Sequence, residues 1–214
     1  MSAGPDTDLD QPDGRTARML RNRELVLDAV LELFTEDSLE PAAADVAERS
    51  GVSLRSVYRY FEDGEALVRA AIARNMERIR PLFEIADLGL GPLPDRVERM
   101  VTARLRLYEA IAPMMRASLQ RAPTNDIIRD RLDADLAAMR RQVEQMFAHE
   151  LEQLPGPSRR DVTAALDLLL GFPSFEQLRR TREFPGPDTR RILVRAVASV
   201  LAGPEGEAQT QPPA

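Results

Sequence analysis

Asp45-Val-Ala-Glu-Arg-Ser-Gly-Val-Ser-Leu-Arg-Ser-Val-Tyr-Arg-Tyr-Phe61 decides how the rest of the chain is read. Val46 and Ala47 sit on one short helix, and after Gly51 and Val52 a second short helical pattern runs through Val57, Tyr58 and Phe61. Ala47 is small where the second helix must cross the first closely. Gly51 can take the left-handed backbone that ends the first helix without a Cβ penalty. Val52 and Val57 point back into the angle between the helices. Ser53 can cap the second helix by accepting one of its free N–H groups, which leaves Leu54, Arg55 and Ser56 in the first turn. This is the layout of a helix-turn-helix, and in a motif that reads DNA that first turn enters the major groove.

Toward the N-terminus, residues 1–14 hold Pro, Asp, Gly and Thr without apolar periodicity, so a disordered leader is expected. From Arg15 the character changes. Arg15, Arg18, Arg21 and Arg23 come first, and Val26, Ala29, Val30, Leu33 and Phe34 then recur at helical spacing. This basic entry, with Arg18 and Arg21 as its site candidates, fits an arm laid against phosphates or in a minor groove; the competing reading is a solvated helix start. Residues 37–41 make a turn with Pro41 where a helix can begin. Helix two covers 42–50 and helix three 53–60. Asp63-Gly-Glu65 restarts the chain, and Ala66, Leu67, Ala70, Ala71, Ala73 and Met76 carry a fourth helix toward Arg80, with Pro81 and the Gly89, Gly91, Pro92, Pro94 cluster closing it.

The remainder reads as helices throughout. Val97, Met100, Val101, Leu105 and Tyr108 define one from Asp95 to about Ile111, with a break or kink expected at Pro113. The next, capped by Asn125 or Thr124, runs through Ile128, Leu132, Met139, Val143 and Phe147 to about Leu154. A helix capped by Ser158 and interrupted by Gly171 and Pro173 follows, and a final one carries Ile192, Leu193, Val197 and Val200. No strand pattern, internal repeat or Gly-rich phosphate loop occurs. The expected organisation is a leader at 1–14, a helix-turn-helix domain at 15–62, a helical domain at 63–202 that shares the fourth helix with the first as a rigid element, and a disordered polar tail at 203–214.

Composition narrows the function. With 43% hydrophobic residues the chain can fill a core, and with no tryptophan that core must be mostly Leu, Val, Ala and Met. Zero cysteines exclude disulfides and thiolate metal sites and fit a cytoplasmic location. No apolar run reaches the roughly 20 residues that span a bilayer, so no membrane partner is expected. The net charge of −6 argues against wholesale coating of nucleic acid but not against a local basic surface.

The ordered set of motifs resembles the TetR family of bacterial transcriptional regulators. The residues that carry the resemblance lie within 23–67: the Leu-Glu-Leu-Phe ending of helix one, Asp45-Val-Ala-Glu-Arg-Ser-Gly-Val-Ser, then Val57-Tyr-Arg-Tyr-Phe and Glu65-Ala-Leu. It implies an all-α fold, with a three-helix head that binds DNA and a helical bundle that binds a small ligand and dimerises. It implies that Ser53, Ser56, Tyr58 and Tyr60 contact phosphates and that Arg55 faces base edges, with Leu54 and Arg59 on the same surface. The chemistry agrees: hydroxyls fix register on phosphates, and an arginine fork takes guanine O6 and N7 together. Departures from the family pattern are Ala42 for a capping threonine, Gly64 for a lysine, Leu54 for a basic residue, and a turn between helices one and two that is one residue short. They shift phosphate binding onto the arginine arm, and Leu54 could touch a thymine methyl.

In the bundle, Tyr108, Met115, Phe147 and Phe172 are candidates to line a site for a small, largely apolar ligand, since such sites are mostly apolar and methionine adapts to irregular shapes. The competing reading is ordinary core packing. Leu166, Leu169, Leu193, Val197 and Val200 are candidates for a homodimer interface built as an intersubunit four-helix bundle; the alternative is burial within one chain. A dimer doubles the base contacts of one short recognition helix across a palindrome. The leading expectation is therefore a repressor released from a palindromic double-stranded DNA operator by its ligand. The alternative is a dimerising adaptor whose helix-turn-helix has lost DNA binding. No enzyme, metal or cofactor is expected: one histidine and no cysteine leave nothing for a triad or a histidine-rich metal site, and Met146 stands where a di-metal Glu-x-x-His pair needs its glutamate.

Overall fold

The computed structural model describes residues 14–36 and 41–203, so nearly all of the expected leader, the turn between helices one and two, and the tail lie outside the described residues. Every regular element among the described residues is helical. They are α1 (Gly14–Thr35), α2 (Ala43–Ser50), α3 (Leu54–Tyr60), α4 (Gly64–Phe83), α5 (Leu93–Arg121), α6 (Asp126–Met146), α7 (Ala148–Glu152), α8 (Gly156–Leu169), α9 (Phe172–Glu176), which continues as a π turn over Gln177–Thr181, and α10 (Gly186–Ala202). The fold is all-α, as the spacing predicts. The chain forms two compact units, one ending at Arg78 and the other starting at Ile79, and α4 belongs to both. Among the described residues no helix is long and apolar enough to cross a membrane.

In the first unit, the head, α2 has eight residues and α3 only seven. Helices that short do not persist alone, so tertiary packing must hold them. Both pack on α1 and on each other. Val26, Val30 and Leu33 of α1, Val46 of α2, Val52 of the turn, and Val57 and Phe61 at α3 are all buried, and each such side chain contributes roughly 1.5–3 kcal/mol when fully buried. The turn has the geometry its sequence requires: Gly51 sits at φ 67°, ψ 14°, and its N–H reaches the Glu48 carbonyl at 3.3 Å. Ser53 caps α3, its Oγ accepting from the Ser56 N–H at 3.4 Å. Ala42 offers no cap to α2; instead the Asp45 carboxylate turns back and accepts the Ala42 N–H at 3.3 Å. Asp63 caps α4, accepting from the Ala66 N–H at 2.7 Å.

In the second unit, the body, α5 packs on α6 and α10, and α8 on α6, α7 and α10. Three expectations are corrected here. Pro113 does not break its helix: α5 continues through it for a total of 29 residues. Proline removes one donor and disturbs one turn, but Tyr108, Ile111, Ala112 and Met115 are buried on both sides and keep the helix seated, while Pro113 itself faces solvent. The helix expected to run to Leu154 divides at Phe147, whose φ of −115° and ψ of 22° leave the helical region while its ring is fully buried. Pro81 lies inside the last turn of α4 and does not close it. The expected interruption after α8 does occur, at Gly171, where a Cβ would stand 2.8 Å from the Asp167 carbonyl oxygen. Inside the body Arg96, 5% exposed, is held by both carboxylate oxygens of Glu150 and by the Met146 and Gly91 carbonyls.

Candidate nucleic-acid interface

The packing of α3 fixes what it can present. Val57 and Phe61, four residues apart, face inward, which turns Leu54, Arg55, Tyr58 and Arg59 outward together with Ser53. Leu54 is 41% and Tyr58 64% exposed, although both are large and apolar enough to be expected in a core. Ser56 and Tyr60 are half-buried at the edge of this surface. A hydrogen-bonded chain runs along it: Ser53 Oγ donates to Ser56 Oγ at 3.0 Å, and Arg59 Nη2 reaches Ser56 Oγ at 3.5 Å and the Tyr60 hydroxyl at 3.3 Å. The Arg59 guanidinium also lies over the Tyr60 ring, 5.2 Å from its centroid. Desolvation works to raise the pKa of the Tyr60 hydroxyl, but hydrogen bonds from Arg59 and Asn22 and the Arg59 charge outweigh it and hold it below the ordinary 10.

Arg18 and Arg21 are exposed on the first half of α1. Arg23, on the same stretch, is a residue the sequence reading left out of the site. Its guanidinium lies 5.1 Å from the centroid of Phe61, the residue that ends α3, a distance at which cation and ring attract. Asn22, beside the Tyr60 hydroxyl, was left out as well; no spacing rule singles it out.

Charge is sorted within the head. The carboxylates of α1 and of Glu36 just after it are turned to one set of arginines: Glu32 and Glu36 to Arg49, Glu24 and Asp28 to Arg74, and Asp28 also to Arg78. Arg15, Arg18, Arg21, Arg23, Arg55 and Arg59 have no ion pair with any described residue. A chain of net charge −6 thus keeps a local set of cations on α1 and α3 without counter-ions among the described residues. Such cations are available to neutralise phosphates and release condensed counter-ions.

In the body, Tyr108, Met115, Phe147 and Phe172 are all buried. Tyr108 and Phe172 meet edge to face with centroids 5.4 Å apart, and Phe175 completes a trio at 5.6 and 5.9 Å. The Tyr108 hydroxyl donates to the Leu170 carbonyl at 2.9 Å and lies 3.5 Å from Met139 Sδ. Burial, chiefly, pushes its pKa up to about 12. One turn earlier on α5 is Arg104, only 2% exposed. Sequence reasoning passed over it, yet the signal was there: Arg104 falls in register with the apolar stripe Val97, Met100, Val101, Leu105, Tyr108.

Of the residues considered for a subunit interface, Leu166, Leu193 and Val197 bury their surface within this chain, where α8 and α10 pack together, at 0, 4 and 0% exposure. Leu169 and Val200 remain partly exposed, and Leu168 is 73% exposed.

A helix-turn-helix head followed by an all-helical body is the architecture of a DNA-binding regulator. Residues 26–71 match the bacterial regulatory proteins, tetR family. The fold is similar to that of a transcriptional regulator from Rhodococcus sp. Rha1, at 18% identity over 85% of this chain and 96% of that one, with a TM-score of 0.64. It is also similar to a tetR-family transcriptional regulator from Streptomyces coelicolor, at 20% identity over 86% of this chain and 80% of that one, with a TM-score of 0.63. No curated protein matches the chain.

Proposed function

We propose that the chain is a sequence-specific, ligand-responsive repressor that acts as a cytoplasmic homodimer on a palindromic operator. The observation that carries this reading is the set of cations on α1 and α3, without ion pairs among the described residues, around the exposed start of the recognition helix. Arg55 is the base reader, Ser53, Ser56, Tyr58 and Tyr60 bind phosphates, and Arg18, Arg21 and Arg59 supply the phosphate contacts that Ala42 and Gly64 do not. Leu54 stands where it can meet a thymine methyl. The seven residues of α3 make few base contacts, which is the physical reason for a dimer. Leu169 and Val200, with Leu168 beside them, offer the apolar surface on α8 and α10 for it. An effector with an apolar part, bound among Tyr108, Phe172 and their neighbours, lowers operator affinity by as much as it prefers the state of the body in which the two heads are wrongly spaced.

The test is a footprint on DNA flanking the protein's own gene, at moderate salt, with wild type, Arg55→Ala and Tyr58→Phe side by side. A palindromic site protected by wild type and weakened by both changes is expected. Protection indifferent to both substitutions, or no protected site in genome-wide selection of bound DNA, overturns the reading in favour of the adaptor.

A further inference from the structure

Arg104 is a buried cation without a carboxylate partner among the described residues. Its Nη1 donates to Gln142 Oε1 at 2.8 Å and its Nη2 to the Met139 carbonyl at 2.8 Å. A guanidinium has five N–H donors, and these two bonds use two of them. The carboxylate that acts on it from a distance, Asp167, is bound to Arg140 instead. Another buried arginine of the body shows what compensation looks like: Arg96 is 5% exposed, and Glu150 covers it with both oxygens. An ion held out of water without a counter-charge is expensive, and proteins rarely keep one in a core.

Two features surround this cation. Tyr108 follows it by one turn on the same face of α5, and with Phe172 and Phe175 makes an aromatic wall. Gln142, whose oxygen Arg104 holds, uses its amide nitrogen to donate to the carbonyl of Phe83 at 2.7 Å. Phe83 is the last residue of α4, so that carbonyl has no partner within its own helix. Gln142 is therefore both the acceptor for a buried charge in the body and the clasp on the end of the helix whose first residues lie in the head unit.

We propose that Arg104 receives the carboxylate of an effector whose apolar part lies against Tyr108 and Phe172, and that Gln142 passes this occupancy to the last turn of α4. The inference rests on the ligand-responsive reading above and names the class of ligand: an amphipathic monocarboxylate. A carboxylate matches the planar fork of a guanidinium and forms stronger bonds to it than a neutral amide does. Taking Nη1 from Gln142 frees the glutamine to move, and the α4 carbonyl loses its fixed donor. A carboxylate at Arg104 supplies the counter-charge that no described residue supplies, and a ligand that binds one arrangement of the body better than another shifts the equilibrium between them.

The experiment uses the full chain, with decanoate and phenylacetate at millimolar concentration against decan-1-ol and 2-phenylethanol as neutral matches. Thermal melting reads binding, and anisotropy of labelled operator DNA reads release. At least one carboxylate should raise the melting temperature of wild type by several degrees while its alcohol does not. Arg104→Met should bind that carboxylate about tenfold more weakly or worse, the effect of losing a charge-assisted bond; should it fold poorly, Arg104→Lys should keep the preference for acid over alcohol with reduced affinity. Gln142→Leu should bind the carboxylate nearly as wild type but release DNA less, a split that a merely structural role does not produce. Equal response to acid and alcohol, no response to either carboxylate, or an Arg104→Met protein that responds like wild type overturns the inference. Operator protection without any probe is scored separately, so a body that ignores carboxylates on a head that binds DNA defeats this inference alone.

Discussion

Arg74 grips Asp28 across the head: Nε and Nη2 of the arginine each donate to one carboxylate oxygen at 2.8 Å, tying α4 to α1 over 46 positions of sequence. The geometry is that of a planar fork meeting a planar acceptor. The hydrogen bond from Arg74 is the largest cause that holds the Asp28 carboxyl below its ordinary 3.8, with burial opposing and the charges of Arg74 and Arg78 assisting. The carboxylate is 36% exposed, so solvent screens much of that gain. Asp28→Asn should destabilise the head by about 1 kcal/mol in urea unfolding at neutral pH. Because the folded-state value is depressed, the contribution is fully present above pH 3.8 and is lost as pH falls through the lower folded value. The difference between wild type and variant should therefore close in that acid window, and a gap that persists below it means that Asp28 acts through packing and not through charge.

Burial of Tyr108 gives an optical prediction. With its hydroxyl pushed up to about 12 and that of Tyr60 held below 10, phenolate absorbance should appear in separated steps, the last absent until about pH 12. Above pH 10 the unfolded chain loses a proton that folded Tyr108 retains, so the sign of the linkage makes stability fall as pH rises there. Tyr108→Phe removes the late step and leaves the Leu170 carbonyl without its buried donor, which should lower body stability by about 1–3 kcal/mol in chemical denaturation. An unchanged titration curve in Tyr108→Phe assigns the late step elsewhere.

Short-range chemistry made the head legible: Gly51, Ser53 and the spacing of Val57 and Phe61 act within a turn or two of themselves, and the structure places them as that chemistry requires. The body was less legible because its decisive interactions are long-range. Pro113 obeys a local rule that tertiary packing overrides, since α5 is seated by partners on α6 and α10 that no window around residue 113 contains. Arg104 and Gln142 are 38 positions apart, and Gln142 and Phe83 are 59 apart. Leu166, Leu193 and Val197 read as one apolar face each, and the sequence cannot say whether such a face meets the same chain or a copy. The overridden proline is testable. In a helix interior proline is about 3 kcal/mol less favourable than alanine, and Pro113 is exposed, so its ring fills no core space. Pro113→Ala should raise the midpoint of thermal unfolding, with a gain of up to about 3 kcal/mol. A loss of stability shows that α5 depends on a bend at that point.

Salt dependence separates the roles of the arginines in the head. Each phosphate neutralised contributes about 0.9 to the slope of log affinity against log salt. Arg18 and Arg21 are exposed on α1 without ion pairs among the described residues, so replacing both with alanine should weaken binding to every duplex alike and reduce the slope by about 2. Arg55 is exposed in the first turn of α3, and its replacement should leave non-specific binding nearly intact while costing about 1–3 kcal/mol at the operator, concentrated at one base pair. Arg23, stacked on Phe61, belongs with the first group, because a guanidinium held against a ring at the end of α3 is set at the edge of the recognition surface. Affinity measured at several salt concentrations on operator and scrambled DNA gives both quantities from one set of proteins. If Arg55→Ala lowers specific and non-specific binding equally, the base-reading role passes to another residue of the exposed face, with Leu54 and Tyr58 next to examine.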